Sequence, residues 1–350
     1  MIKVTIGNKL VGEDEPCLIS FEPGATFTQI DDAKLMIKAT ASAGADAIKF
    51  QTFLLGDSDR MMSKKDILVN FTTPTGKKQE LVYEALKRRE LSKEEWVELV
   101  QYAKNQNILF ITAPYFPETI KFLVEIGVDA IKVSKGDINN VILIDQIAKT
   151  KLPIILDGRE KFEDVDRAIK ICENNGNKKI IIFHCPSGYP SENAGVHLRA
   201  IKAIQDKYPY PVGFADHSPG DTMNYAAVAV GASMLEKTIT IDKTTEKVEH
   251  FMSLELDELK TFVQKIRAIE DAMGDPSILM TSRVEENARR SLVAKKDIVK
   301  GEKITNELLD FRRPGNMGIS CADGFKVLER IASKDIREGT FLQWDMLQQS

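Results

Sequence analysis

The stretch GADAIKFQTF, residues 44–53, contains a short apolar run from Ala47 to Thr52. An amphipathic pattern over Asp31–Ala43 precedes this run, with small and apolar residues at helical spacing. A short apolar run that follows a helical pattern is typical of a buried strand in a parallel sheet. We therefore predict that these residues form one strand–helix unit of a larger parallel sheet.

The same alternation of a short apolar run and an amphipathic stretch occurs eight times along the chain. The eight runs are Cys17–Phe21, Ala47–Thr52, Ile108–Ala113, Ala130–Ser134, Pro153–Asp157, Lys179–Cys185, Pro211–Asp216 and Ser233–Ile241. Helical patterns include Lys93–Asn105 and Asp164–Cys172, and Leu256–Met273 follows the last run. Parallel strands need crossover connections, and eight units favour a closed barrel over an open doubly wound sheet. The sequence thus predicts an α/β fold, a (β/α)8 TIM barrel over residues 1–280.

The barrel pattern ends near the Gly-Asp-Pro sequence at residues 274–276, and the chain that follows differs in composition. Residues 281–290 are polar and charged, which is typical of a linker. From Ser291 onward, short pieces such as Ser291–Ala294 alternate with turns at Lys300–Gly301 and Glu338–Gly339. We predict a small β-rich domain over residues 291–350.

The composition excludes several classes of protein. The 350 residues include 48 Lys and Arg and 52 Asp and Glu, giving a net charge of −4, so a basic nucleic-acid footprint is absent. No 18 apolar residues run together, so we expect no membrane span. No GxGxxG follows any predicted strand, which weakens a dinucleotide-binding interpretation. The N-terminus lacks the apolar run of a signal peptide, and no two of the 4 cysteines form a CxxC motif, which fits a reducing cytoplasm.

In a parallel barrel the active site lies at the carboxyl ends of the strands, and polar residues gather there in this sequence. Lys49 and Gln51 are two residues apart, so both point to the barrel mouth if Ile48 and Phe50 face the helices. A lysine in an apolar strand is costly unless an anion pairs with it. Lys49 and Lys132 therefore form a candidate phosphate or carboxylate site, unless each pairs with a barrel carboxylate for structural reasons.

Three histidines lie near the predicted strand ends. His217 follows Asp216 where a neutral imidazole is a fair metal ligand, although a hydrogen-bonded loop histidine is the alternative. His184 follows Phe183 within the sixth run, and we expect it inside the barrel. His250 lies in the loop after the eighth run and is within reach of the rim.

Several of these strings resemble the sialic acid synthase family. The resemblance runs through GADAIKFQTF at 44–53, HCPSGYP at 184–190, GFADHS at 213–218 and GASMLEK at 231–237. Near the C-terminus, RSLVA at 290–294 and RPG at 313–315 resemble that family's antifreeze-like SAF domain, a β-clip fold. In this order and over this length, the strings identify the chain as a divergent member.

The resemblance implies a reaction and assigns residues to it. The family condenses phosphoenolpyruvate with an N-acetylated aldose to give a nonulosonic 2-keto-3-deoxy sugar acid for surface polysaccharide or glycan biosynthesis, and uses Mn²⁺ or Mg²⁺. Lys49, Lys132 and Glu22 are then the catalytic residues, and His217 and Glu236 the metal ligands. The implied substrate-binding residues are Gln51, Thr112, Lys135, Asp157, Ser187, Tyr189, Glu249 and Arg313. Because Arg313 would reach the sugar from a partner's small domain, the resemblance also implies a domain-swapped homodimer.

The sequence departs from the family pattern at the site itself. The second metal histidine falls at Thr238, so Glu236, Glu249 or His250 would have to compensate. Asp157 stands where a serine or threonine is usual, and would repel phosphate unless Lys135 or Arg159 offsets it. Two further hypotheses follow: a metal-assisted aldolase or lyase acting on a sugar acid, and a catalytically silent sugar-binding homologue.

Overall fold

The computed structural model describes residues 2–158, 161–274 and 287–348. The chain divides into two compact units, Met1–Met273 and Gly274–Ser350. Most of the predicted linker, residues 281–286, lies outside the described residues, as does Arg159. The predicted boundaries at 280 and 290 therefore stay predictions.

The elements are numbered in chain order. The strands are β1 (Val4–Ile6), β2 (Lys9–Val11), β3 (Leu18–Glu22), β4 (Ala47–Gln51), β5 (Phe53–Leu54), β6 (Leu68–Thr73), β7 (Gly76–Leu81), β8 (Glu90–Leu91), β9 (Leu109–Ala113), β10 (Ala130–Val133), β11 (Ile154–Asp157), β12 (Ile180–His184), β13 (Val212–Asp216), β14 (Met234–Thr240), β15 (Leu254–Glu255), β16 (Ser291–Ala294) and β17 (Leu309–Arg312). The helices are α1 (Ile30–Ser42), α2 (Asp57–Met61), α3 (Val82–Lys87), α4 (Lys93–Asn105), α5 (Pro117–Ile126), α6 (Val141–Lys149), α7 (Phe162–Asn174), α8 (Arg199–Lys207), α9 (Thr222–Ala229), α10 (Leu259–Met273) and α11 (Gly324–Val327). Within the described ranges, no helix combines the length and apolar character needed to cross a bilayer.

The first unit is a closed parallel barrel, as predicted. Its strands follow one another around the ring as β3, β4, β9, β10, β11, β12, β13 and β14, and β14 pairs back to β3. Seven of the eight predicted runs contain one of these strands in full, and the first, Cys17–Phe21, contains all of β3 except Glu22. Helix α4 has the predicted bounds, because Ser92 and Glu95 form a reciprocal capping box that fixes its first turn.

Side-chain alternation divides the barrel into an inner and an outer core. Phe50 points outward, where its ring lies 5.3 Å from that of Phe110 and 5.8 Å from that of Trp96 on α4. Lys49 precedes Phe50 in the strand, so its side chain points inward, as predicted. The inner core is apolar towards the amino ends of the strands, so charged side chains are confined to the carboxyl half of the interior.

An N-terminal hairpin, β1–β2, closes the amino end of the barrel and was not anticipated from the sequence. Val4, Ile6 and Val11 pack in the same buried cluster as the inward-facing residues of the barrel strands. Its turn contains Gly7 at φ +54°, where an added Cβ would lie 2.3 Å from the Leu109 side chain. Glycine is therefore needed there both for the backbone conformation and for the close approach.

A second hairpin, β6–β7, was also missed and lies beside the opposite, carboxyl end of the barrel. The Thr72 N–H donates to the Tyr189 carbonyl oxygen at 3.0 Å. Phe71 packs in a small cluster with Ala25 and Val248, which belong to the loops after β3 and β14. The hairpin thus ties three loops of the barrel mouth together.

The prediction for His184 is wrong. Its neighbours Phe183 and Cys185 lie in the inner core, so alternation turns the His184 side chain outward. There its ring centroid is 5.8 Å from that of Phe214, and Nε2 lies 2.6 Å from the Val196 carbonyl oxygen. His184 is a buried packing residue outside the barrel interior.

The second unit is the predicted small, turn-rich β domain. Strands β16 and β17 pair antiparallel, and Ile298 pairs with Ile336 through an isolated bridge. The two predicted turns contain Gly301 and Gly339 in the left-handed region, at φ +86° and +79°. The unit has its own buried core, formed by Leu292, Ala294, Ile298, Ile304, Leu308, Leu309, Ile319, Val327, Ala332, Ile336, Leu342 and Leu347.

Asp46 joins three elements at the amino end of the barrel. Its Oδ2 accepts from the Ile19 N–H and from Arg267, both at 2.9 Å, and its Oδ1 lies 2.8 Å from the Lys9 ammonium. We expect Asp46→Ala to lower the free energy of unfolding by about 2 kcal/mol, because the buried Ile19 N–H loses its acceptor. Urea unfolding measures the change.

The matched control for Asp46 is Asp164→Ala, which breaks a surface pair with Arg167. That change should cost less than about 0.5 kcal/mol. Equal midpoints for Asp46→Ala and the unmodified protein would show that the cluster contributes nothing to stability.

Candidate active site

Four charged side chains meet inside the carboxyl half of the barrel: Glu22 on β3, Lys49 on β4, Lys132 on β10 and Glu236 on β14. Lys49 donates to Glu22, and its Nζ lies 3.8 Å from Glu236 Oε1. The Lys132 Nζ donates to the same Glu236 oxygen at 2.5 Å. All four side chains are at most 4% exposed. Both lysines therefore pair with barrel carboxylates, the arrangement that the sequence had left open. We call these four residues the charge cluster.

The charge cluster shifts the titration of its members. Burial alone would raise the pKa of Glu22, but Lys49 and Lys132 outweigh it and hold that pKa well below its usual range. Burial would lower the pKa of Lys49, yet Glu22 and Glu236 raise it. Burial and the neighbouring Glu22 raise the pKa of Glu236 against both lysines. Burial therefore outweighs the two neighbouring ammonium groups in its effect on the pKa of Glu236.

Three buried polar atoms beside the charge cluster have no hydrogen-bond partner among the described residues. They are Ser20 Oγ, Glu236 Oε2 and Thr238 Oγ1. Ser20 pairs in register with Glu236, and Thr238 with Glu22, so all three lie on the inner face of adjacent strands. Buried polar atoms without partners are costly. Their grouping indicates a place where a bound ligand or water completes the hydrogen bonds.

Gln51 connects the charge cluster to the rim. Its Nε2 donates to Glu22 at 2.9 Å, and its Oε1 accepts from Tyr115 at 2.8 Å and from Arg89 Nη1 at 2.6 Å. Gln51 was predicted from its position on the strand, whereas Arg89 and Tyr115 were not. Tyr115 lies two residues after β9, a position that could have indicated it, whereas nothing local indicates Arg89.

Thr112 does not join the charge cluster. It pairs in register with Phe50 and Ile131, both of which face the outer core. Its side chain therefore points outward, where its hydroxyl lies 2.6 Å from that of Thr52. The expectation that the Thr112 side chain faces the mouth is wrong, because the strand places Ile111 inward instead.

Five other predicted residues lie on the far side of the mouth. The Lys135 ammonium donates to Ser187 at 3.2 Å, which brings the loops after β10 and β12 together. The Tyr189 ring lies 5.5 Å from that of His217, and His217 Nδ1 lies 3.2 Å from the Pro186 carbonyl oxygen. Asp157 is buried on the inner face of β11.

A buried network behind the strands fixes the backbone around His217. Asp216 accepts from Ser218 through both its N–H and its hydroxyl, at 2.8 and 2.6 Å. Its other oxygen accepts from Asn224 at 2.6 Å and from Lys237 at 2.7 Å. Because Asp216 and Ser218 are held on either side, the direction of the His217 side chain is strongly constrained.

Glu249 reaches the mouth from the loop after β14. Its Oε2 accepts from the Ala25 N–H at 2.6 Å, and it adopts an unusual φ of +75°. Gly24 permits this approach, since an added Cβ there would lie 2.2 Å from that oxygen. Burial raises the pKa of Glu249, although the Arg89 charge opposes the shift. Glu249 is therefore held beside the loop that follows Glu22.

Among the described residues, the donors at the mouth do not form a ready-made site for a divalent cation. The described residues contain no group of three or more His, Cys, Asp and Glu side chains arranged to hold a metal. One predicted ligand, Glu236, is engaged by two ammonium groups, which would repel a cation. His250 is committed elsewhere: it lies 2.8 Å from the Thr240 hydroxyl, and burial lowers its pKa to about 4. The roles of His217 and Glu236 as metal ligands thus stay predictions.

Arg313 belongs to the second unit, where it follows β17 and is exposed. Its predicted contact with a partner's sugar site is a matter of assembly, and stays a prediction.

Comparison with known proteins relates this arrangement to one family. The NeuB family model matches residues 36–277, and the SAF domain model matches residues 289–348. The chain is 35% identical to the N,N'-diacetyllegionaminic acid synthase of Campylobacter jejuni, over 93% of this chain and 98% of the relative. It is 31% identical to human N-acetylneuraminate-9-phosphate synthase, over 91% and 89%. A crystal structure of N-acetylneuraminic acid synthetase from Leptospira borgpetersenii, in complex with citrate, matches with a TM-score of 0.72 and 29% identity, over 82% and 95%.

Proposed function

The chain belongs to the NeuB family, and from that membership we propose that it condenses phosphoenolpyruvate with an N-acetylated aldose. The product is a nonulosonic, sialic-acid-like 2-keto-3-deoxy sugar acid. At the coarser level the protein is a C–C bond-forming transferase of the sialic acid synthase type, with a C-terminal SAF domain. Relatives named for legionaminic, pseudaminic and neuraminic acids support a sugar acid as the product.

The observation that carries the proposal is the charge cluster. Two ammonium groups lie in the carboxyl half of the barrel, next to Glu236 Oε2, for which the described part of the chain supplies no hydrogen-bond partner. Phosphoenolpyruvate carries a phosphate and a carboxylate, which match two cations in charge and number. Lys49 and Lys132 would bind these two groups, each exchanging part of its contact with Glu22 or Glu236 for the substrate. Lys135 and Ser187, bonded to each other at the rim, would extend the same anion site.

The proposed reaction balances with water as the third reactant. The enol carbon of phosphoenolpyruvate attacks the aldehyde carbon of the open-chain sugar, forming the new C–C bond. Water adds at the neighbouring carbon, and inorganic phosphate leaves with its C–O bond broken. Glu22 would hold both Lys49 and Gln51 in position, because it accepts hydrogen bonds from both. Gln51, Tyr189 and Glu249 border the space for the sugar.

The test is an assay of the purified protein with phosphoenolpyruvate and a panel of N-acetylated aldoses, in Mn²⁺, in Mg²⁺ and in chelator. We expect release of inorganic phosphate together with a nine-carbon keto acid detected by mass spectrometry. No phosphate release with any aldose would reject the proposal.

Asp157 favours the second candidate, a metal-assisted aldolase or lyase acting on a sugar acid. This buried carboxylate lies on the inner face of β11, directly beside the strand that carries Lys132. A carboxylate there opposes phosphate binding. Cleavage of a sugar acid without phosphoenolpyruvate would establish this activity, and sugar binding without either reaction would indicate a silent homologue.

The metal requirement gives a separate prediction. Since Thr238 stands where a histidine is expected, we expect weak Mn²⁺ binding by the unmodified protein. Thr238→His should strengthen it by about tenfold or more, and His217→Ala should remove the gain. Calorimetric titration with Mn²⁺ measures both changes. Tight binding that neither substitution alters would show that the metal lies elsewhere.

We further propose that the protein acts in the cytoplasm as a domain-swapped homodimer, with Arg313 of one subunit over the sugar site of the other. The exposure of Arg313 in the second unit supports this arrangement. Mixing an Arg313→Ala protein with a Lys132→Ala protein tests it. Activity should return in the mixture, since some dimers then contain one intact composite site, whereas no recovery would argue against a shared site.

A further inference from the structure

Lys237 is a fully buried cation that the proposed reaction has not used. Its strand neighbours Glu236 and Thr238 face the barrel interior, so the Lys237 side chain points outward. Its ammonium forms a 2.7 Å ion pair with Asp216 Oδ2 and donates to the Ser218 carbonyl oxygen at 2.5 Å. Lys237 therefore joins β14 to residues 216–218 at the end of β13, which we call the 216–218 segment.

Stability does not explain why this ion pair is kept. Both side chains are 0% exposed, and the desolvation of two such charges offsets most of their attraction. An apolar pair of similar volume is often as stable or more stable. Ser218 and Asn224 already donate three hydrogen bonds to the Asp216 carboxylate. What Lys237 adds is a second attachment, because it holds the carboxylate at one end of the 216–218 segment and the carbonyl oxygen at the other.

His217 lies between those two attachments. Its Nδ1 lies 3.2 Å from the Pro186 carbonyl oxygen, and its ring centroid lies 5.5 Å from that of Tyr189. Its own carbonyl oxygen accepts from the Ser191 N–H at 2.9 Å. The 216–218 segment thus supports the loop after β12, and a shift of the segment would move the His217 and Tyr189 rings together.

The same strand connects this support to the charge cluster. Glu236 precedes Lys237 in β14 and accepts from Lys132 at 2.5 Å. We propose, resting on the function proposed above, that Lys237 is a positioning residue. It holds the rings of His217 and Tyr189 at a fixed distance from the charge cluster. Lys237 touches no substrate itself, because it lies outside the barrel interior among helix-facing residues such as Leu235 and Ile239.

Two variants separate positioning from stability. Lys237→Met keeps the apolar stem but leaves Asp216 buried without its counter-ion, so it should be less stable. The double variant Lys237→Met, Asp216→Asn is neutral at both positions. Its new amide can donate to Asn224 Oδ1, which is buried and has no partner among the described residues, once the Asn224 amide turns over. The double variant should therefore recover stability without restoring the link from β14 to Ser218.

The first readout is the nuclear magnetic resonance spectrum of His217. The chain has only 4 histidines, so each imidazole signal can be followed, and His217→Ala identifies the signal of His217. That signal should shift in both Lys237 variants, because the ring current of Tyr189 depends on distance, while the other three signals stay in place. Asp46→Ala, which loosens the opposite end of the barrel, is the control and should leave all 4 signals unchanged.

The second readout is steady-state kinetics with phosphoenolpyruvate and an N-acetylated aldose. In both Lys237 variants kcat should fall by about 10- to 100-fold, with a much smaller change in the KM for phosphoenolpyruvate. Asp46→Ala should keep its kcat. Recovery of kcat together with stability in the double variant would show that Lys237 serves stability alone, and would overturn the proposal.

The two readouts keep this inference separate from the proposed function. If no aldose gives product, the proposed function fails, and the His217 signal then decides the inference. An unmoved signal in the double variant rejects it, as does an unchanged kcat in an active protein. If Lys237→Met does not fold, the double variant provides the whole test.

Discussion

Lys132→Ala is expected to reduce the affinity for phosphoenolpyruvate by about 100-fold. Each charge-assisted hydrogen bond to an anion contributes about 1.5–3 kcal/mol, and Lys132 would supply at least one. The substitution also removes the 2.5 Å contact that neutralises Glu236. Glu236 then remains buried without its nearest cation, which opposes an anionic substrate further. Isothermal titration with phosphoenolpyruvate measures the loss.

Lys121→Ala is the control for this substitution, because Lys121 on α5 is 84% exposed. Among the described residues, the only ion pair of Lys121 is with Glu125. Its titration should be indistinguishable from that of the unmodified protein. Lys132→Met keeps the apolar stem, so it separates loss of charge from loss of volume. Unchanged affinity in both Lys132 variants would mean that the cluster is a structural ion-pair network and not an anion site.

Glu22→Gln is expected to lower kcat by about 100-fold or more, with a smaller effect on the affinity for either substrate. Glu22 accepts from Lys49 and from Gln51, so a neutral amide leaves the lysine without its main partner and lets the glutamine turn. Small errors in the placement of reacting groups cost about that factor. Steady-state kinetics with both substrates varied measures the effect.

Acid stability gives an independent check on Glu22. Its pKa is held well below the usual range in the folded protein, so its contribution to stability is present above about pH 4.5 and is lost as the pH falls below that value. The slope is at most about 1.4 kcal/mol per pH unit. Glu22→Gln should remove this part of the pH dependence, whereas Glu98→Gln, at an exposed pair with Lys34, should retain it. Equal slopes in the two variants would show that Glu22 is not held ionised.

The barrel could be predicted from the sequence because buried parallel strands are apolar over their whole length, and each run therefore carries its own signal. The two hairpins could not. Strand β7 is largely exposed, β6 is only partly buried, and segments such as Gly76–Lys77–Lys78 lack apolar alternation. Strands β1 and β2 are only three residues long, too short for a period to be recognised.

Within the barrel, the composition of a segment shows that it is a strand. It does not show which of its residues face the interior and which face the helices. His184 was predicted inside the barrel, and Thr112 was implied to bind substrate, yet both side chains lie on the outer face, one residue away from an inward position. Lys49 was assigned correctly because its neighbours Ile48 and Phe50 are clearly suited to the helix layer. Near a strand end, the adjacent residues are of types that occur on the inner face and on the outer face alike. The local sequence pattern then cannot decide which face a side chain lies on.

The partners of the site residues were the least predictable part. Lys132 contacts Glu236 across the barrel, 104 residues later in the sequence, and this contact depends on the register of all the strands between them. Arg89 enters the mouth only because α3 ends beside Gln51, which is a property of the folded path and not of the local sequence. Residue types at strand ends can therefore indicate that a site is present. The contacts between those residues are determined by the closed barrel.

The hairpin at the amino end of the barrel also bears on the order of events during turnover. Because β1–β2 closes that end, molecules have a single opening through which to enter and leave the interior. Lys49 and Lys132 are buried within the barrel, whereas Glu249 belongs to the loop after β14 and is only partly buried. An aldose bound beside Glu249 would therefore obstruct the path to the lysines. We therefore expect compulsory-order kinetics: phosphoenolpyruvate binds first, the sugar follows, and the sugar acid departs before phosphate. A barrel with a single opening therefore determines the order in which substrates bind and products leave.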